Sequence, residues 1–382
     1  MAAAHRWRSP APENGHHDTS LRSLIASRAV LVITVLAILS AATGAVALAS
    51  STGTLNASPA ATDQDQRMGS GAPFQDPPEA DMAAGSNGDL TVTLDAHDTQ
   101  FDLAGKTVIG QSYNGSYVAP TIRFDPGAQV DVRLVNHLPV ATDVHFHGLH
   151  LDPADHSGDE FVCVAPGGTS TYHLVIPANH PQGTYWYHSH AMGANCAAST
   201  GSGSGTENQV FAGLSGALIV GDDRTLLPAA YQHIIAHTFI LKDFQTGAAA
   251  TTVRLVNSQL RPVVTMAPNE TQLWRLINAG ADISYRLRMD GYAFTVVGED
   301  GVPAADVTTV GTLILAPGKC YDVLVTANGT PGTAWLRSTS SANGPLGDPY
   351  PDATLAELDV GGRAVSRLPL LTGVSQDTKT EA

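Results

Sequence analysis

Hydrophobic positions in this chain fall in short runs that either alternate with polar residues or stay apolar for four to eight positions. LTVTLDA (90–96), TIRF (121–124), QVDVRLVN (129–136), DVHFHGL (143–149), STYHLVI (170–176), GTYWYHSH (183–190) and GALIVG (216–221) are separated by Gly, Pro, Asn and Asp. That is the pattern of strands and turns, and it predicts a β-sandwich over 87–222. A second series predicts another sandwich over 223–362: HIIAHTFIL (233–241), TVRLV (252–256), PVVTM (262–266), QLWRLIN (272–278), YRLRM (285–289), FTVV (294–297), TLIL (312–315), YDVLVT (321–326) and TLAELDV (354–360). The two units read as a diverged repeat, because Gly127-Ala128-Gln129 leading into VDVRLVNH resembles Glu270-Thr271-Gln272 leading into LWRLINA.

The exception to this pattern is AVLVITVLAILSAATGAVALA (29–49), an uncharged apolar stretch of 21 residues, long enough to cross a bilayer as a helix. Arg6, Arg8, Arg22 and Arg28 precede it and place residues 1–28 on the cytoplasmic side. Ala47-Leu48-Ala49 offers a signal-peptidase site, so the span reads either as a cleaved signal peptide or as an uncleaved membrane anchor. On both readings the rest is exported. Residues 50–86 lack a hydrophobic period and read as a flexible linker, Ser199–Gly205 as a flexible loop, and 363–382 as a tail.

Composition narrows the function. Apolar residues make up 43% of the chain and charged residues 14%, enough for real cores. A net charge of -15 argues against nucleic acid as a partner. Three cysteines suit an oxidising compartment. Cys163 and Cys196 each lie near a histidine doublet and are candidates for a disulfide, leaving Cys320 as a buried small apolar residue.

The chemistry lies in the two doublets, His145-Phe146-His147 and His188-Ser189-His190. Alternate residues of a strand share a face, so two such strands side by side would bring four imidazoles into one small volume. Four imidazoles without a carboxylate or thiolate suit copper or zinc. Gly148 would permit a close approach, and Trp186 with its neighbouring tyrosines would wall the site. Asp152, Asp155, Asp159 and Glu160 read as a polar loop. His150, His156, His173, His180, His233 and His237 fall outside the motif, the last two reading as structural, and Met192 reads as packing. The 145 residues after His237 contain no histidine.

HFHG and HPQGTYWYHSH resemble the N-terminal cupredoxin domain of the multicopper oxidases, the laccase-like group. The resemblance continues through NQVFAGLSGALIVGD (208–222), TQLWRLINAGADISYRLRMDGYAFTVVGEDG (271–301) and LAPGKCYDVLVT (315–326), covering about 88–362. It implies an all-β fold of tandem cupredoxin-like Greek-key sandwiches, here behind an N-terminal hydrophobic helix. It further implies a trinuclear copper cluster between the first and last domains, four histidines coming from each. By position, His145 resembles the type 2 copper ligand of the first domain, and His147, His188 and His190 resemble type 3 ligands. The family oxidises a reduced small molecule or metal ion and passes the electrons to dioxygen, giving water.

This sequence departs from the full pattern. The type 1 copper cysteine of the family lies in a His-Cys-His segment, and none occurs here; the first-domain tripeptide is His188-Ser189-His190. The C-terminal domain with its histidines is also missing from the sequence, and a second copy of the same chain would lack the same groups. The expectation is an N-terminal half-site of type 2 and type 3 character without a type 1 centre. As an enzyme it would need a further domain or a partner chain. The alternatives are a copper-binding or storage protein without turnover, and a copper-free cupredoxin scaffold.

Overall fold

The structure, a computed structural model, describes residues 71–85, 88–159, 161–191, 196, 205–246, 251–342 and 349–374. The apolar span 29–49, residues 1–28 before it, Met192, Glu160 and the stretch 199–204 lie outside the described residues. Among the described residues no helix is long and apolar enough to cross a membrane.

The strands of the first sandwich are β1 (Met82–Ala84), β2 (Leu90–Leu103), β3 (Lys106–Tyr113), β4 (Ala119–Phe124), β5 (Gln129–Asn136), β6 (His145–His147), β7 (Thr169–Val175), β8 (Gly183–His188) and β9 (Ser215–Val220). One sheet runs β1-β2-β5-β7 with β3 also on β2, and the other runs β4-β9-β8-β6. Helix α1 (Thr206–Ala212) lies between β8 and β9. Val92, Leu94, Val130, Val132, Leu134, Tyr172 and Leu174 face inward from the first sheet and meet Ile122, Phe146, Tyr185, Tyr187 and Leu218 from the second.

The second sandwich comprises β10 (Ala236–Thr246), β11 (Thr251–Val256), β12 (Val263–Met266), β13 (Thr271–Asn278), β14 (Tyr285–Met289), β15 (Phe294–Glu299), β16 (Val302–Val310), β17 (Leu313–Leu315), β18 (Cys320–Thr326), β19 (Gly332–Thr339), β20 (Ser341–Ala342), β21 (Pro349–Tyr350) and β22 (Ala353–Val360). Its sheets run β11-β10-β13-β18-β15-β16 and β12-β22-β19-β14-β17, with β20 and β21 forming a small hairpin.

The two sandwiches repeat one wiring. β2 pairs in parallel with β5 as β10 does with β13, and β4 pairs with β9 as β12 does with β22. β8 lies antiparallel between β9 and β6, as β19 lies between β22 and β14. The buried asparagines that end β5 and β13 do the same work. Asn136 Nδ2 donates to the carbonyls of Val140 and Val164, and Asn278 Nδ2 donates to those of Ile283 and Leu315.

The sandwiches meet across the outer face of β8 and β9, all of whose residues are buried. This explains why those segments read as continuous apolar runs: both faces are covered. Val118, Trp186 and Ala217 pack against Ile240, Ile277, Ala279 and Cys320. Polar groups close the seam. Thr184 Oγ1 donates to Asp322, Tyr185 to the Gly301 carbonyl at 3.0 Å, and the fully buried Lys242 Nζ to Ser215 Oγ at 2.7 Å and the Val210 carbonyl at 3.1 Å.

Two segments expected to be linker or tail are built into the fold. Residues 71–85 are an extended strap: Pro73 bridges to Val263, Glu79 to Thr121, and β1 adds to β2. Asp76 accepts from His237 Nδ1 at 2.8 Å and from the Thr238 amide at 2.6 Å. Beyond β22, Leu368, Leu371 and Val374 pack on Leu227, Tyr231 and Leu324.

Candidate metal centre

Strand pairing builds the site directly from the two doublets. β6 and β8 are antiparallel neighbours, with His145 opposite His188 and His147 opposite Trp186. Phe146 and Tyr187 point the other way into the core, where Tyr187 donates to the Pro120 carbonyl at 2.6 Å. Tyr187 is therefore not a wall of the site, contrary to the expectation from its position beside His188.

Ligand nitrogens of His145, His147 and His188 lie within 4.8 Å of one another. His190, just past the end of β8, joins them with its ring centroid 5.1 Å from that of His145 and 5.7 Å from that of His188. His188 Nδ1 lies 2.8 Å from the Ser189 carbonyl, so Nδ1 carries the proton and Nε2 presents a lone pair. That Nε2 is buried and has no hydrogen-bond partner, and neither has Nδ1 of His190. A buried polar atom without a partner is costly; a bound metal ion would remove that cost.

Burial also fixes the protonation state. Desolvation lowers the His145 pKa to about 4, with His147 and His190 adding repulsion. His188 is pushed well down and His147 down, the latter opposed by the carboxylate of Asp300. All three are neutral near pH 7, the form that binds metal.

A polar block underlies the histidines. Asp143, two residues before the first doublet, accepts from the His190 amide at 2.6 Å. Its burial raises its pKa to about 7. On the open side, a cavity of about 310 Å³ between the sandwiches is lined by His147, Trp186, Asp300, Gly318, Lys319 and Cys320, among others. Gly318 approaches with φ +82, and a Cβ there would meet Trp186 at 3.4 Å and His147 at 3.5 Å. Gly148 has φ +87 with Tyr185 the close neighbour, so its freedom serves the turn after β6.

The remaining sequence candidates lie apart from the cluster. His180 accepts from the His150 amide at 3.0 Å, tying the turn after β6 to the segment before β8. His173 pairs with Asp131 and His237 with Asp76. Asp152 and Asp159 accept from the amides two residues on, as loop residues do. Cys163 and Cys196 form a disulfide, and Cys320 is a buried free thiol. Asp143, Gln209 and Asp300 were missed. Asp143 sits inside the first doublet's own strand run, which could have flagged it; Gln209 and Asp300 reach the site only through tertiary packing.

The second sandwich shows what the same wiring looks like without the histidines. Where β6 and β8 pair His145 with His188, β14 and β19 pair Arg288 with Arg337. The tryptophan persists: Trp335 lies under the Arg337 guanidinium at 5.5 Å, as Trp186 lies against His188.

Two all-β sandwiches of one wiring, with a histidine cluster on the first, define the class. Two multicopper oxidase family profiles match residues 95–225 and 216–357, and the chain belongs to the multicopper oxidase family. It is 27% identical over 242 residues to Laccase-2 of Podospora anserina, covering 59% of this chain and 37% of that protein. It is 26% identical over 287 residues to multicopper oxidase MmcO of Mycobacterium tuberculosis, covering 63% and 52%. The chain thus spans about a third to a half of the length of such curated relatives. In fold it is similar to a multicopper oxidase from Campylobacter jejuni described as a metallo-oxidase. The TM-score is 0.65 at 23% identity, covering 82% of this chain and 65% of that one.

Proposed function

We propose that His145, His147, His188 and His190 are copper ligands forming one half of a multinuclear centre, His145 of type 2 and the others of type 3 character. The observation that carries this is the partnerless, buried Nε2 of His188 facing two further imidazoles on paired strands. The donor set is all imidazole, which suits copper, and His145, His147 and His188 are held neutral by desolvation. Bound copper would supply one-electron redox chemistry and a site for dioxygen. The protein's part is to fix the imidazoles through strand pairing, the Ser189 carbonyl and Trp186. The second sandwich supplies Asp300 and Gly318 beside His147.

The reaction of the whole centre is oxidation of a reduced substrate coupled to dioxygen reduction. It requires the second set of ligands from a further domain or a partner chain, since the sequence has no His-Cys-His segment. Export of the chain, through residues 29–49, is part of this reading.

The test is copper stoichiometry with visible and electron paramagnetic resonance spectra on the full chain. Bound Cu(II) with imidazole nitrogen couplings and no intense blue band is expected. A chain that takes up no copper refutes the proposal. An intense blue band refutes the absence of a type 1 centre.

A further inference from the structure

The side chain of Gln209 is fully buried in a helix that carries no histidine, yet it bonds to Ser189 within the second doublet and to Ala141 and Thr142 ahead of the first. Its Oε1 accepts from Ser189 Oγ and, at 3.0 Å, from Thr142 Oγ1. Its Nε2 donates to the Ala141 carbonyl at 2.9 Å. Ala141 and Thr142 lead into β6 and so into His145 and His147. Ser189 is the residue between His188 and His190, and its carbonyl is the group that holds His188 Nδ1.

We propose that Gln209 is a positioning residue for the metal centre: through Ser189 it sets the direction in which His188 Nε2 and His190 face the first doublet. The chain of contacts is short. The Gln209 amide fixes the Ser189 side chain, and the Ser189 amide donates to the Leu214 carbonyl at 3.1 Å. The peptide so pinned presents its carbonyl to His188 on one side and the His190 amide to Asp143 on the other. An imidazole whose other nitrogen is held in this way keeps one tautomer and one ring orientation.

The internal repeat separates this role from a general need of the fold. The second sandwich has the same wiring but no histidines. Between β19 and β22, where α1 would recur, it carries the hairpin β20–β21. Among the described residues, a helix at this place in the wiring occurs only in the sandwich that bears the histidine doublets.

This inference rests on the copper reading above, and its test tells the two apart. The full chain, Gln209→Met, Ser189→Ala and the double variant are compared by Cu(II) affinity against a competing chelator, by the Cu(II) resonance spectrum, and by melting without metal. Each single change is expected to weaken Cu(II) binding by about tenfold or more and to alter the hyperfine coupling. The double variant should fall short of the product of the two, because both act on one chain of contacts. Variants that melt lower but bind Cu(II) with the wild-type affinity and spectrum overturn the positioning role and leave the copper reading intact. If Gln209→Met does not fold, Ser189→Ala alone decides by the same criterion. A wild-type chain that binds no copper removes the copper reading, and the inference with it.

Discussion

The indole of Trp186 lies flat against the imidazole of His188, ring centroids 4.1 Å apart and planes 18° from parallel. The same indole is 5.1 Å from His147 and is buried against Ile240, Ile277 and Cys320 of the second sandwich. One side chain therefore braces two of the proposed ligands and closes the seam between sandwiches. Trp186→Ala should lower stability by about 3–5 kcal/mol, the usual cost of emptying a large aromatic site, and should weaken copper binding as well. Trp186→Phe, which keeps a ring in place, should lose less than half as much on both counts. Chemical denaturation and copper titration measure the two effects, and an alanine variant as stable as wild type would contradict the bracing role.

Removing ligands should discriminate between histidines that sequence alone places close together. His188→Ala should abolish high-affinity copper uptake, since it removes a buried, partnerless nitrogen that faces the other imidazoles. His150→Ala should leave the copper content unchanged, because both the amide and the ring of His150 lie against His180, apart from the cluster. Metal analysis after dialysis against a weak chelator would show this; equal copper loss in both variants would mean that the assigned ligand set is wrong.

Lys242 imposes a pH dependence on stability. Burial lowers its folded pKa to about 7, against an unfolded value near 10.5. Between those values the unfolded chain holds a proton that the folded chain has released, so stability rises with pH through this window. Below pH 7 the cost of the buried ammonium is present in full. Stability should therefore increase from pH 7 to 9, and in Lys242→Met that rise should flatten. Urea midpoints at half-unit pH steps test this, and an unchanged slope in the variant would count against it.

The disulfide between Cys163 and Cys196 closes a loop of 33 residues that contains the whole second doublet. On the chain-entropy account a loop of that length contributes about 3–4 kcal/mol. Reduction, or the double Cys→Ser change, should shift the denaturation midpoint by a matching amount. Denaturation with and without reductant measures it, and coincident curves would show the bridge to be energetically idle.

Local pattern made the strands and the histidine cluster legible. His145, His147, His188 and His190 could be placed together because alternation fixes which residues share a face and β6 does pair with β8. The repeat was legible at β5 and β13, where Asn136 and Asn278 occupy matching ends. What stayed hidden depends on distant partners. The strap over 71–85 has no hydrophobic period of its own: Phe74 packs on Phe239, and Asp76 holds His237. Helix α1 is seven residues long, too short for a periodic signal, and its key side chain is a polar one. Tyr185 and Tyr187 were both expected at the site; Tyr185 lines the cavity beside His147 with its hydroxyl on the Gly301 carbonyl, whereas Tyr187 turns to the Pro120 carbonyl.

The strap also crosses the order of synthesis with the order of space. Its first residues belong beside β12 of the second sandwich, where Gln259 Nε2 donates to the Pro73 carbonyl across a separation of 186 residues. Its last residues join the first sandwich at Thr121 and β2. A chain emerging from its N-terminus can complete the first sandwich while the strap's far half still waits for a partner not yet made. Contacts of such long range are slow to form, so seating residues 71–76 should be a late folding event. Cutting the chain between the sandwiches would not give two independent pieces, because the first would carry away an edge that belongs to the second.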